Sequence, residues 1–248
     1  MRSVPLFEPV LLTVTPVRTF YESVFLTNAS GFFFKREDRL YLVTSRHVVF
    51  DEPSGHQPDR IEIELHTDPE NLAVSTGFSI LLYRENTSVW RQGQDSAGSI
   101  DVAVIEINQE SLPTTAIINA FGPESIPKPE IYPEVGTPLL VIGFPLGFHD
   151  TLHHMPVVRH AVIASSYGLR FQGDGYFLAD GRTHRGTSGA PVLMKTDNKK
   201  EVFGTHLPYF LLGIHSARLD VGTRDHEIDE ALGLNCTWYA DILMTLTA

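Results

Sequence analysis

The hydrophobic residues of this chain occur in short runs of strand character, and turn-forming residues separate the runs. The runs are rich in β-branched and aromatic side chains, and clusters of Gly, Pro, Asn and Asp lie between them. They cover residues 10–14, 32–35, 40–44, 61–65, 78–83, 102–107, 139–142, 157–164, 190–194 and 211–215. Many short strands with turns between them predict an all-β sandwich or barrel rather than βαβ units.

A proline-rich segment, residues 121–136, divides these runs into two blocks. It contains Pro123, Pro127, Pro129 and Pro133. We therefore predict one β-barrel over residues 1–120, a linker over residues 121–136 and a second β-barrel over residues 137–248. Apolar residues over 238–246 fall on one helical face, which predicts a closing helix at the C-terminal end.

Composition limits the classes of partner and compartment. The chain of 248 residues carries a net charge of −11, which argues against binding to nucleic acid or to an anionic membrane surface. The longest apolar run, residues 138–148, is about half of the ~20 residues that a membrane-spanning helix needs. Cys236 is the single cysteine, so no internal disulfide can form. With no apolar leader after Met1, we expect a cytoplasmic protein.

Three local patterns place reactive side chains beside predicted strands. Residues 42–49 (LVTSRHVV) present His47, residues 99–105 (SIDVAVI) present Asp101, and residues 185–192 (RGTSGAPV) carry Ser188 in a glycine-flanked turn. Each pattern alone is more often structural than catalytic. Together the three patterns indicate a catalytic site much more strongly, because His47 and Asp101 fall in the first block and Ser188 in the second. A catalytic triad at a seam between two barrels requires this distribution.

The chemistry of such a triad explains the residue types. A serine hydroxyl is a poor nucleophile near neutral pH, so an adjacent neutral histidine must accept its proton during attack. A carboxylate behind the histidine fixes its tautomer and stabilises the imidazolium. The order of the motifs predicts Ser188 as nucleophile, His47 as general base and acid, and Asp101 as the group that orients His47.

These segments resemble those of the trypsin-like serine peptidases of the chymotrypsin fold, particularly their bacterial members without disulfides. Residues 141–147 (VIGFPLG) are similar to a turn early in the second barrel of that family, and residues 238–243 (WYADIL) to its closing helix. The resemblance implies two six-stranded antiparallel β-barrels with a C-terminal helix. It also implies hydrolysis of polypeptide substrates through an acyl-enzyme, without a metal or cofactor.

The resemblance further implies that the backbone N–H groups of Gly186 and Ser188 form the oxyanion hole. A glycine suits a backbone that approaches the substrate closely. Thr187 stands where digestive members of the family carry an aspartate that pairs with a newly cut N-terminus. We therefore expect no activation by N-terminal cleavage. Proteolytic activity would instead be controlled by ordering of loop 173–185, by narrow substrate specificity or by a regulatory protein partner.

The resemblance places the substrate-binding pocket at Arg182, His215, Ser216 and Arg218. Trypsin-type enzymes carry Asp at the position of Arg182, so a preference for Lys or Arg before the scissile bond is not expected. The segment Gly-Ile-His at 213–215 is similar to that of members selective for Glu or Gln, and we predict such a preference. The alternative is that His215 is a buried structural residue and that the arginines point to solvent.

Two other interpretations compete with a triad peptidase. An α/β-hydrolase would need Gly-x-Ser-x-Gly between a strand and a helix, with the histidine downstream, and Ala190, Pro191 and the upstream His47 argue against it. A latent or inactive protein of this fold, acting as a peptide-binding or regulatory module, remains open.

The histidines at 149, 153, 154 and 160 lack the regular spacing of a zinc site, so we predict no metal.

Overall fold

The structure, a computed structural model, describes residues 7–196, 207–218 and 233–248, and it is built mainly of β-strands. The first half forms an antiparallel seven-stranded sheet with the strand order β5-β4-β1-β2-β3-β9-β8. Its strands are β1 (Val14–Tyr21), β2 (Val24–Arg36), β3 (Arg39–Thr44), β4 (Arg60–His66), β5 (Ser75–Leu81), β8 (Trp90–Asp95) and β9 (Gly98–Ile107). Two further short strands, β6 (Tyr83–Arg84) and β7 (Thr87–Ser88), pair only with each other.

The second half is a closed antiparallel barrel with the order β10-β11-β12-β15-β14-β13. Its strands are β10 (Pro138–Gly143), β11 (Val157–Ile163), β12 (Tyr176–Asp180), β13 (Pro191–Lys195), β14 (Tyr209–Arg218) and β15 (Leu234–Tyr239). The predicted all-β fold with a C-terminal helix is confirmed. The second half has the expected six strands in its barrel, whereas the sheet of the first half has seven.

Helices are few and short in the described residues. They are α1 (Arg46–Val49) and α2 (Ile242–Leu246), with 3-10 turns at Pro9–Thr13, Gln109–Ser111, Pro123–Ser125, Pro145–Gly147 and Phe171–Gly173. No described helix is long and apolar enough to cross a membrane. The chain's last helix is shorter than the pattern over 238–246 predicted, because Trp238 belongs to β15 and pairs there with Tyr176 of β12.

The strand predicted over residues 10–14 is wrong. Pro9 begins a 3-10 turn there, in which the Thr13 hydroxyl donates to the Val10 carbonyl at 2.6 Å. Proline favours the first position of a helical turn because its φ is already fixed and its missing N–H would have had no partner there. The extended segment therefore starts only at Val14.

The two halves share a hydrophobic core in addition to the core that each encloses. Buried side chains from the first sheet, including Phe32 and Phe34, cluster with Ile142 and Leu193 of the barrel and Leu243 of α2. The last residues of the chain also bind back to the first half. Arg36 donates to the Met244 carbonyl at 2.7 Å, and the Tyr41 hydroxyl donates to the Thr247 carbonyl at 3.2 Å.

The linker joins the first sheet at Phe121. Its backbone N–H donates to the Phe33 carbonyl at 3.0 Å, and its carbonyl accepts from the Lys35 N–H at 2.7 Å. The Phe121 ring is fully buried and meets the Phe32 ring edge-on, with ring centroids 5.8 Å apart. This residue therefore anchors the start of the linker to the shared core.

Replacing Phe121 by Ala is expected to lower the free energy of unfolding by about 3–5 kcal/mol, the usual cost of removing a buried phenylalanine ring. Equilibrium denaturation in urea measures it. Phe148→Ala is the matched control, because Phe148 is 69% exposed and its loss should change stability by no more than about 0.5 kcal/mol. Equal stabilities of the two variants would show that Phe121 does not anchor the linker.

Candidate active site

The pairing of β3 with β9 brings His47 and Asp101 together. Thr44, near the end of β3, lies opposite Ala103 of β9, so Asp101 faces the start of α1, which carries His47. The His47 backbone N–H donates to Asp101 Oδ1 at 2.9 Å, and the ring Nδ1 lies 2.7 Å from Asp101 Oδ2. Because the carboxylate binds both the backbone and the ring, it fixes the direction in which the imidazole points.

The carboxylate and the imidazole shift each other's pKa in opposite directions. Burial alone would lower the pKa of His47, but the hydrogen bond and negative charge of Asp101 outweigh it and raise the pKa above 6.5. Burial alone would raise the pKa of Asp101, but His47 and the Ser216 hydroxyl hold it below its usual value. The pair therefore favours an ionised Asp101 and a more basic His47.

Ser188 lies in the turn before β13 and is held from both halves. The Ser30 backbone N–H of β2 donates to the Ser188 carbonyl at 2.9 Å, and the Gly189 N–H donates to the His215 carbonyl of β14 at 2.8 Å. The Ser188 hydroxyl donates to the Ser216 carbonyl at 3.0 Å. Ser216 in turn donates its own hydroxyl to Asp101 Oδ2. Ser216 therefore links Ser188 to Asp101.

Gly186 has a reason for being glycine beyond closeness to a substrate. Its φ is +89°, and an added Cβ would lie 2.6 Å from the Phe144 carbonyl oxygen and 2.9 Å from the Leu146 nitrogen. The loop is thus pressed against the turn at 144–147, whose Leu146 N–H donates to the Arg185 carbonyl at 2.6 Å. In the described part of the chain, the N–H groups of Gly186 and Ser188 donate to no protein acceptor.

Among the predicted pocket residues, His215 is buried, with 3% of its surface exposed. Its ring Nε2 lies 3.4 Å from Asn235 Oδ1, which also accepts a hydrogen bond from the Thr183 hydroxyl. Burial lowers the pKa of His215 to about 4, so the ring is neutral at pH 7. Its Nδ1 is buried and has no hydrogen-bond partner among the described residues.

The structure places the other three predicted pocket residues differently. Arg182 is exposed, and the hydroxyl of Ser216 is committed to Asp101. Arg218 ends β14, and its side chain lies outside the described part of the chain. Sequence reasoning missed Thr183 and Asn235, because no local motif marks them.

These two missed residues meet only through strand pairing. Asn235 of β15 lies opposite Ala179 of β12 and Arg218 of β14. Its amide nitrogen donates to the carbonyls of Ala179, Gly181 and Gly233 at 2.8–3.2 Å. Those three bonds leave Asn235 Oδ1 turned toward Thr183 and His215.

Sequence comparison identifies the family. The trypsin-like peptidase domain matches residues 29–204, which include His47, Asp101 and Ser188. This chain belongs to the trypsin-like peptidase domain family. No curated protein sequence matches the chain.

Two solved protease structures share the fold. A serine endoprotease from Yersinia pestis is 16% identical, with a TM-score of 0.52 over 96% of this chain and 62% of its own length. The active form of a protease from Mycobacterium tuberculosis is 13% identical, with a TM-score of 0.51 over 95% of this chain and 79% of its own. This chain therefore spans less than two thirds of the Yersinia chain.

The histidine-rich turn after β10 makes local contacts. His153 lies 2.7 Å from an Asp150 carboxylate oxygen, His149 Nδ1 lies 2.6 Å from the Gly147 carbonyl, and the His149 ring stacks on His154. His160 is placed separately, in β11. Across the residues that the structure describes, no group of three or more His, Cys, Asp or Glu side chains could hold a metal ion.

Asp101→Asn is expected to lower the pKa of His47, because the carboxylate charge that favours the imidazolium is removed. The His47 pKa is read from NMR titration of its ring protons. Asp150→Asn, which removes the carboxylate beside His153 instead, should leave that pKa unchanged. Because the pKa of His47 is raised in the folded protein, its protonation adds to the free energy of unfolding. This stabilisation is complete below the unfolded pKa of about 6.5 and is lost as the pH rises through the folded pKa. An unchanged His47 titration in Asp101→Asn would contradict the assignment.

Proposed function

We propose that this protein is a serine endopeptidase that hydrolyses peptide bonds with Ser188, His47 and Asp101. The observation that carries the proposal is the placement of the three groups. The first half supplies an ion-paired His47 and Asp101, and the second half supplies a serine hydroxyl that Ser216 ties to the same carboxylate. Polypeptide is the substrate class that this family membership favours.

The reaction begins with a rotation of the Ser188 side chain. Its hydroxyl now donates to the Ser216 carbonyl, and turning it toward His47 Nε2 would let the ring accept its proton during attack on the scissile carbonyl. The resulting imidazolium is stabilised by Asp101 and then protonates the leaving amine. Water repeats the sequence on the acyl-enzyme, with His47 again taking and returning the proton.

The oxyanion formed in each step needs hydrogen-bond donors already in position. The N–H groups of Gly186 and Ser188 suit this role, because neither is used by a protein acceptor in the described residues. Gly186 is also held in the left-handed region, where a non-glycine residue would be strained. We assign these two backbone groups as the oxyanion donors.

We propose a preference for an amide or acidic side chain before the scissile bond, with Gln favoured over Glu at neutral pH. His215 supplies a buried Nδ1 without a partner in the described structure, and an incoming polar side chain would satisfy it. Because His215 is neutral at pH 7, it offers hydrogen bonding without a compensating positive charge. Arg182, being exposed, would add only a screened surface charge.

One observation favours a second candidate, a latent or non-catalytic peptide-binding module. The Ser188 hydroxyl donates to a backbone carbonyl rather than to His47. A resting protein of this kind would bind peptides, and a regulatory protein partner would have to turn the hydroxyl before hydrolysis could occur. Covalent labelling with a fluorophosphonate probe separates the two candidates, since only a reactive serine forms the adduct.

Wild-type protein is expected to react with the probe at Ser188, and Ser188→Ala is expected to abolish both labelling and peptide hydrolysis. Mass spectrometry locates the adduct, and a fluorogenic peptide library reports the hydrolysis. Ser54→Ala is the matched control, because Ser54 is an exposed serine whose hydroxyl donates to Asp51. Hydrolysis that persists in Ser188→Ala would overturn the triad, and an unlabelled wild type would favour the binding module.

Peptides that differ only in the residue before the scissile bond are expected to be cleaved fastest with Gln, then Glu. Thr183→Val removes the hydroxyl that donates to Asn235 and should reduce kcat/KM for the Gln peptide by about tenfold, the effect of one lost hydrogen bond in a buried site. Thr114→Val, at an exposed threonine, is the control. Fastest cleavage after Lys, Arg or an aromatic residue would refute the preference.

A further inference from the structure

Ser30 of β2 lies against the oxyanion loop of the opposite half, although no motif pointed to it. It is fully buried, and both its backbone and its hydroxyl are used. The hydroxyl donates to the Gly186 carbonyl at 2.7 Å and accepts from the Phe144 N–H at 2.9 Å. The Ser30 N–H donates to the Ser188 carbonyl at 2.9 Å.

These contacts restrain the two peptide groups on either side of Gly186. The peptide plane before Gly186 is held because the Leu146 N–H binds the Arg185 carbonyl at 2.6 Å. In a trans peptide the N–H points opposite to the C=O, so this bond sets the direction of the Gly186 N–H. The peptide plane after Gly186 is held by the Ser30 hydroxyl, which binds the Gly186 carbonyl.

The Ser30 hydroxyl also supports the first of these two restraints. By accepting from Phe144, it anchors the turn at 144–147 that presents the Leu146 N–H. Gly143 makes room for this contact, because a Cβ there would lie 2.6 Å from the Ser30 hydroxyl oxygen. Thr44 completes the cluster by donating its hydroxyl to the Ser30 carbonyl at 2.8 Å.

A restraint of this kind is needed because a glycine backbone rotates easily between alternative conformations. A flip of the peptide before Gly186 would turn the Gly186 N–H away from the substrate, and a rotation of the peptide after it would displace the backbone that leads to the Ser188 N–H. Thr187 has no carboxylate, so an ion pair at that position cannot hold the loop. The hydroxyl of Ser30 acts at the same loop from the other half of the protein.

We propose that Ser30 is a positioning residue that holds the backbone N–H groups of Gly186 and Ser188 in the orientation that stabilises the oxyanion. The inference rests on the proposed peptidase function. It also means that the loop is ordered by contact between the two halves, so that cleavage of the chain is not required. Ser30 touches no reacting atom, and its effect reaches the reaction only through Gly186 and Ser188.

The test is Ser30→Ala in the full chain, assayed with the best peptide substrate. The variant loses the hydroxyl bonds to Gly186 and Phe144 and keeps the backbone bond to Ser188. We expect kcat to fall by about 10–100-fold with KM changed by less than about threefold, because a misplaced oxyanion donor weakens the transition state more than the bound substrate. A peptide aldehyde, which mimics the tetrahedral intermediate, should lose affinity in parallel with kcat/KM.

Ser125→Ala is the matched control, because Ser125 is equally buried and its hydroxyl accepts only the Gly122 N–H, at 3.4 Å, in the linker. It should keep wild-type kcat and aldehyde affinity. Melting temperatures of both variants separate a loss of stability from a loss of catalysis. Ser30→Cys is measured as well, since it keeps a side chain of similar shape with a weaker hydrogen-bonding group and should fall between wild type and Ser30→Ala.

The outcomes distinguish this inference from the function on which it rests. Wild-type protein that neither hydrolyses peptides nor reacts with a fluorophosphonate overturns the proposed function and, with it, the role of Ser30. An active wild type whose Ser30→Ala and Ser30→Cys variants keep kcat within twofold, with unchanged aldehyde affinity, overturns the role of Ser30 alone. If Ser30→Ala does not fold, a selective fall in kcat of the folded Ser30→Cys variant supports the role, and an unchanged kcat overturns it.

Discussion

The contact between the two halves is the constraint on which the site depends, because neither half contains the site alone. His47 and Asp101 come from the first half of the chain, whereas Ser188 and Ser216 come from the second half. The hydrogen bonds that join them span about 3 Å, so a small slide of one half over the other would break them. The apolar side chains shared between the halves are close-packed and resist such a slide. Burial of hydrophobic surface at the seam thus preserves the polar geometry.

Two histidines, one from each half, show how the same type of side chain can serve two purposes. His47 has an ionised partner in Asp101, which keeps the ring basic despite burial. His215 has only a neutral amide partner in Asn235, so burial makes its ring very hard to protonate. The first environment suits a group that must take up a proton, and the second suits a group that must stay uncharged while it forms hydrogen bonds.

The sequence predicted the residues that carry local signatures and missed those that meet only in the folded chain. His47, Asp101 and Ser188 lie in recognisable segments, and most strands show β-branched runs. The predicted runs did not include β8 because it is rich in polar residues, and Trp238 was assigned to the predicted helix because its apolar spacing fits both periods. Ser30, Thr183 and Asn235 could not be found, because their roles depend on strands that pair across large sequence separations. The sequence explained the glycine at 186 only by the close approach of its backbone to the substrate. The structure shows that the turn at 144–147 also leaves no room for a side chain there.

The linker at Phe121 and the returning C-terminal residues limit how this protein can move. Both the backbone N–H and the carbonyl of Phe121 form hydrogen bonds with the first sheet. The backbone at and after α2 accepts hydrogen bonds from Arg36 and Tyr41. A hinge that opened the two halves would have to break the bonds from Arg36 and Tyr41 to the C-terminal residues and hydrate the side chains of the shared core. Adjustment to different ligands is therefore expected in loops around the site rather than in the relative placement of the two sheets.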